Sequence, residues 1–125
     1  MATENFKVGQ VWNYATRNGE ECSTLTILKI EKYGKGNIIV HIRVDSVKIH
    51  SAQSATGYTS FIGHLPYSEK AISNSITKLA GQNENLPDFS EGYNQWKEAW
   101  VSGKGGYWTV ALKQAIDSID KAMKP

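Results

Sequence analysis

Phe89, Tyr93, Trp96 and Trp100 follow one another at spacings of four, three and four residues, the period that places four large rings along one side of a helix. Such a stripe has to be buried. Each ring contributes about 1.5 to 3 kcal/mol when it leaves water, and a small domain needs that contribution. The segment is therefore expected to be a core helix. Asp88 stands where it caps the first turn, and Glu91 three residues on completes a capping box. Gly103 closes the helix, and Trp12, Tyr14 and Trp108 are expected on the same aromatic cluster.

Upstream the period changes from 3.6 to 2. Val8 to Tyr14 has strand composition, Arg17-Asn18-Gly19-Glu20 offers a tight turn, and Ser23 to Lys32 is the returning strand,. Its alternation slips at Ile27-Leu28, which marks a bulge or a strand buried on both faces. Tyr33 to Asn37 turns again. Ile38, Val40, Ile42 and Val44 then point one way while Ile39, His41, Arg43 and Asp45 point the other. Beyond Asp45 the phase shifts to Val47 and Ile49, so the strand is expected to bend there. These residues read as a three-stranded antiparallel meander.

Residues 51–66 are small and polar and read as a long loop, with Tyr58 to Ile62 a short edge strand at most. A helix capped by Ser68 follows, with Ile72, Ile76, Leu79 and Ala80 on one side and Gly81 at its end. After the aromatic helix, Gly105-Gly106 leads into a short strand over Tyr107 to Val110, and Thr109 is placed to cap a last helix reaching about Met123. The fold class is thus α+β: a small antiparallel sheet, made of the N-terminal meander plus a short C-terminal strand, with three helices on one face.

A chain of 125 residues with 40% hydrophobic and 21% charged content accommodates one domain over residues 1–125. Thirteen aromatic residues argue against a disordered chain. The single cysteine, Cys22, has no internal partner, and Met1 to Asn5 carries neither the basic nor the apolar part of a signal peptide, so a cytoplasmic protein is expected. No run reaches the roughly 18 to 20 apolar residues of a membrane span. The net charge of +2 does not point to a nucleic acid, whose binders carry a stronger basic excess. Between Lys29 and His50 the five basic residues Lys29, Lys32, Lys35, Arg43 and Lys48 outnumber Glu31 and Asp45, enough to steer an acidic partner.

Chemistry-bearing patterns are sparse. His41, Arg43 and Asp45 alternate along one strand, about 7 Å between neighbours, and form a group able to hold an anion or move a proton. His41, His50 and His64 lack the spacing of metal ligands, and no thiolate or carboxylate stands at a diagnostic offset, so neither metal nor cofactor is expected. The glycines around Lys35 and Lys104 do not fit a phosphate loop, which needs a Ser or Thr after the lysine.

The opening Phe6-x-x-Gly9-x-Val11-Trp12-x-Tyr14-x-x-Arg17-x-Gly19-Glu20-Glu21, the run Ser23 to Ile27, and the closing Tyr93-x-x-Trp96-Lys97-Glu98-Ala99 with Tyr107 to Val110 resemble a group of small uncharacterised bacterial proteins. In size and layout the chain is also similar to the cytoplasmic immunity proteins that neutralise a cognate toxin. The resemblance implies a protein-binding role and carries over no functional residue. The expected role is a non-catalytic domain whose partner is another protein. His41, Arg43, Asp45, Lys48, Tyr58 and Tyr67 are the expected contact residues, because Arg and Tyr dominate binding hot spots. The alternative is a small enzyme or small-molecule binder using His41, Arg43 and Asp45 beside the 51–66 loop.

Overall fold

The computed structural model describes residues 6–33 and 36–124; the leader at 1–5 and the Gly34-Lys35 pair of the second turn lie outside the described residues. Five strands and three helices follow in the order β1 Gln10–Tyr14, β2 Thr24–Tyr33, β3 Asn37–His50, β4 Tyr58–Ser68, α1 Glu69–Ser75, β5 Ile76–Gln82, α2 Ser90–Val101 and α3 Leu112–Met123. The strands form one antiparallel sheet in the order β4-β3-β2-β1-β5.

The meander of β1, β2 and β3 forms where the alternation places it. Gly19 takes the positive φ of 88° that its turn requires,, although the connection runs over 15–23 and is longer than a two-residue hairpin. The slip at Ile27-Leu28 is a bulge: Ile27 faces Ile42, Lys29 faces His41, and Leu28 is the extra residue,. The bend after Asp45 is also present. Ser46 sits at φ 59°, and the pairing jumps from Asp45–Phe61 to Ile49–Thr59, which restores the core-facing phase for Val47 and Ile49.

Three local expectations are corrected. The 51–66 segment is a loop only to Gly57, and β4 then runs the length of β3. The small, polar composition made this stretch look like a loop, but β4 is an edge strand, and there the missing N–H of Pro66 costs nothing in the ladder,. The helix capped by Ser68, whose side chain accepts from Ala71 N at 3.0 Å, stops at Ser75 instead of reaching Gly81. Ile76 to Gln82 is β5, which satisfies the outer backbone groups of β1,. The strand expected at Tyr107 to Val110 reduces to one parallel bridge between Trp108 and Tyr67, with Trp108 N donating to Pro66 O and Trp108 O accepting from Ser68 N.

The helices do not share one face, a further correction. Leu25, Ile27, Val40, Ile42, Val44, Leu65 and Tyr67 pack against Ile72 of α1 and Leu112, Ala115 and Ile116 of α3. Trp12, Tyr14 and Trp108 belong to this core as well, not to the aromatic stripe. Helix α2 covers the opposite face, where Trp96 lies edge-on to His41 with ring centroids 4.7 Å apart. Trp96 is its buried residue and donates from Nε1 to Gly106 O at 2.7 Å. No side chain caps α2 in the expected way; Asp88 instead accepts from Ser90 N at 2.9 Å. Among the described residues no helix is long and apolar enough to cross a membrane.

Candidate functional site

The residues singled out on β3 divide into two environments, because α2 covers only part of the face they share. His41 is fully buried beneath α2, whereas Arg43 and Asp45 lie beyond its reach and keep partial exposure. Arg43 Nε donates to Asp45 Oδ1 at 3.0 Å. Its guanidinium rests on the ring of Phe61, 4.3 Å from the centroid, and Phe61 is 43% exposed. Toward the end of the same two strands Lys48 places its ammonium 4.4 Å from the ring centroid of Tyr58. Two cations thus lie on two accessible rings, held by adjacent strands.

This end of the sheet is fixed by charge. Arg17 donates to Glu20 Oε2 at 2.6 Å, to Asp120 Oδ2 at 3.2 Å and to the carbonyl of Lys48 at 3.2 Å. Glu20 in turn accepts the N–H of Lys48 at 2.9 Å. Asp120 of α3 accepts both the backbone N–H and Nδ1 of His50, at 2.8 and 2.6 Å. Burial would raise the Asp120 pKa, but these donors from His50 and Arg17 hold it down at about 2,. Beside this clamp, the 51–57 loop and the end of α3 enclose shallow clefts of about 380 and 310 Å³, bordered by Tyr58, Phe61, Ile119 and Met123.

Tyr67 is placed differently from expectation. It is fully buried in the core and donates to Val110 O at 2.9 Å. Burial raises its pKa and keeps it a neutral donor. It has no surface to offer a partner, and neither has His41. Phe61 and Met123, which were not among the expected contact residues, are exposed apolar side chains at this end of the sheet. Phe61 carried a usable signal, a large ring within an otherwise small and polar run; Met123 carried none, since it stands in register with the apolar stripe of α3.

Beneath α2 the polar groups form a chain. His41 Nε2 lies 2.8 Å from Glu31 Oε1, and His41 Nδ1 lies 2.8 Å from His64 Nε2. Glu31 also accepts from Tyr93 OH at 2.6 Å. Burial would raise the Glu31 pKa, but these hydrogen bonds hold it below the usual carboxylate range. Carboxylates only accept, so His41 carries its proton on Nε2; neutral, it accepts at Nδ1, and His64 donates from Nε2. His41, Arg43 and Asp45 therefore do not converge: the histidine spends both nitrogens under α2, while the other two bind each other outside it. Among the described residues no group of three or more His, Cys, Asp or Glu side chains is placed to hold a metal ion.

No protein-family model, curated protein or solved structure matches this chain.

Proposed function

We propose that the chain is a non-catalytic cytoplasmic protein-binding domain, and that its most concrete role is that of an immunity or inhibitor protein neutralising a cognate toxin. The observation that carries the binding role is the pair of cation-on-ring contacts, Arg43 on Phe61 and Lys48 on Tyr58. A cation already seated on an aromatic ring loses little side-chain freedom on binding, which lowers the cost of association. Arg and Tyr are also the residues most often found at binding hot spots. The contact surface is then Arg43, Asp45, Lys48 and Tyr58 with Phe61 and Met123, and the partner presents an acidic patch with an apolar centre. The specific toxin-neutralising role rests on the general similarity in size and layout to immunity proteins.

Charge reversal tests this reading. A partner captured from the native host by the wild-type protein is expected to bind the Arg43→Glu, Lys48→Glu variant at least tenfold more weakly, and its association rate is expected to lose much of its salt dependence. Unchanged affinity and salt dependence would place the interface elsewhere. Capture of a secreted or contact-delivered toxin, with its activity abolished by stoichiometric addition of this protein, would support the immunity role specifically.

A further inference from the structure

We infer that α2 is an acid-released cover: proton uptake by the His41–His64 pair undocks this helix from the sheet while the core on the opposite face stays folded. The geometry has three parts. The two imidazoles stack, ring centroids 5.0 Å apart and 18° from parallel, and share one hydrogen bond of 2.8 Å. The polar contacts of α2 to the sheet run through the same cluster: Tyr93 to Glu31, Lys97 to Tyr33 at 2.5 Å and to Glu31 at 3.7 Å, with the rings of Tyr93 and Trp96 edge-on to His41. The core that includes α1 and α3 lies across the sheet and shares none of these groups.

Among the described residues, charged and titratable groups face the pair from three elements. From β2 come Glu31, Lys29 and Tyr33; from β3, Arg43 next along the strand; from α2 and its entry, Asp88, Glu91, Tyr93 and Lys97. Among the described residues Glu31 is the one counter-charge in direct contact, and it already accepts from Tyr93 and His41. Lys29, paired with His41 in the ladder, and Lys97 oppose a further positive charge. Asp88 and Glu91 border the open cleft of about 230 Å³ beside His64.

One proton can enter at His64 Nδ1 without breaking the shared bond. A second cannot, because His41 Nδ1 must stay an acceptor. Burial disfavours even the first: it lowers the His41 pKa and, with the neighbouring His41, lowers that of His64 to about 4. Both rings regain an ordinary value near 6.5 once α2 lifts. A depressed histidine pKa stabilises the docked state at neutral pH, and that contribution is lost as pH falls from about 6.5 toward 4. From His64 alone the opening equilibrium of α2 rises on the order of 20-fold between pH 7 and pH 5.

Hydrogen exchange on the intact chain, corrected for intrinsic rates, reads this opening. Amide protection in α2 is expected to fall on the order of tenfold or more between pH 7 and pH 5, with α3 unchanged, and His64 is expected to titrate below pH 6 by imidazole NMR. The His41→Gln, His64→Gln variant should lose the pH dependence, while His50, which pairs with Asp120 on α3, is left intact. A His64 titration near 6.5, equal loss of protection in α2 and α3, or the same pH dependence in the variant would overturn the inference. If the variant does not fold, the wild-type titration and the α2-to-α3 comparison decide it alone.

Discussion

Ser75 Oγ accepts the backbone N–H of Leu112 at 3.1 Å while it donates to the carbonyl of Ala71 at 2.8 Å. The last residue of α1 therefore caps the first turn of α3, which has no side-chain cap of its own. The Thr109 expected in that role lies outside it. Ser75 is buried, so water cannot replace the hydroxyl. Ser75→Ala is expected to destabilise the fold by about 1 to 2 kcal/mol. Urea denaturation measures it, and a change within experimental error would show that Leu112 N finds another acceptor.

Trp96→Ala is expected to cost about 3 to 5 kcal/mol, the usual range for removing a buried large aromatic. Besides its contact with His41, the indole stacks on Trp100 at 5.3 Å and holds Gly106 O. Chemical denaturation checks the value. A loss below about 1 kcal/mol would mean that α2 contributes little to global stability.

Gly105 passes against the last turn of α2, and a Cβ built on it would meet Trp100 N at 2.6 Å and Trp100 Cα at 2.8 Å. Those atoms are backbone and have no rotamer to yield. Gly105→Ala is expected to destabilise by roughly 1 to 3 kcal/mol through this overlap alone. Gly106→Ala is the control, since nothing lies within 4 Å of its added carbon. Thermal melts of the two variants should separate clearly.

Asp120 supplies a pH test of the charged clamp. Its pKa is lowered to about 2 by His50 and Arg17 against the opposing effect of burial. The stability it contributes is fully present above the ordinary carboxylate value and is lost as pH falls through about 4 to 2. Wild type and Asp120→Asn should therefore differ most above about pH 5 and converge near pH 2. A gap that does not narrow in acid would show that Asp120 acts by shape and hydrogen bonding without its charge.

Phe61→Ala separates binding from folding. The ring is 43% exposed, so its removal should change stability by no more than about 1 kcal/mol while weakening capture of a protein partner about tenfold or more. Loss of stability with binding intact would return Phe61 to the core.

The meander, both irregularities in it and the α+β class were legible because alternation over β2 and β3 is a local signal. The end of α1 was not. Ile72, Ile76 and Leu79 suit a helix by period, and only the open edge of β1, supplied by residues more than sixty positions earlier, draws Ile76 onward into a strand. Helix α2 was legible as an aromatic stripe, but of its four rings Trp96 alone is buried, Phe89, Tyr93 and Trp100 being half-buried, and its face was not legible, since nothing local says which side of a sheet a helix will cover. The fate of His41 followed from that choice: an alternating polar position looks solvent-facing until Glu31 and His64 are brought to it across strands. Arg43, Lys48 and Tyr58 were singled out by residue type, whereas the seating of Arg43 on Phe61 and of Lys48 on Tyr58 depends on the register of β4.

The strand order has a consequence during synthesis. β4 and β5 are neighbours in sequence but occupy opposite borders of the sheet, so β1 becomes an interior strand only once the chain has crossed back through α1. A nascent protein emerged as far as Ser68 can pair four strands and still carries β1 with its outer hydrogen-bonding row unfilled. Until the next fourteen residues leave the ribosome, that row is open to any extended segment nearby, and the interval is the one in which a chaperone has the most to protect.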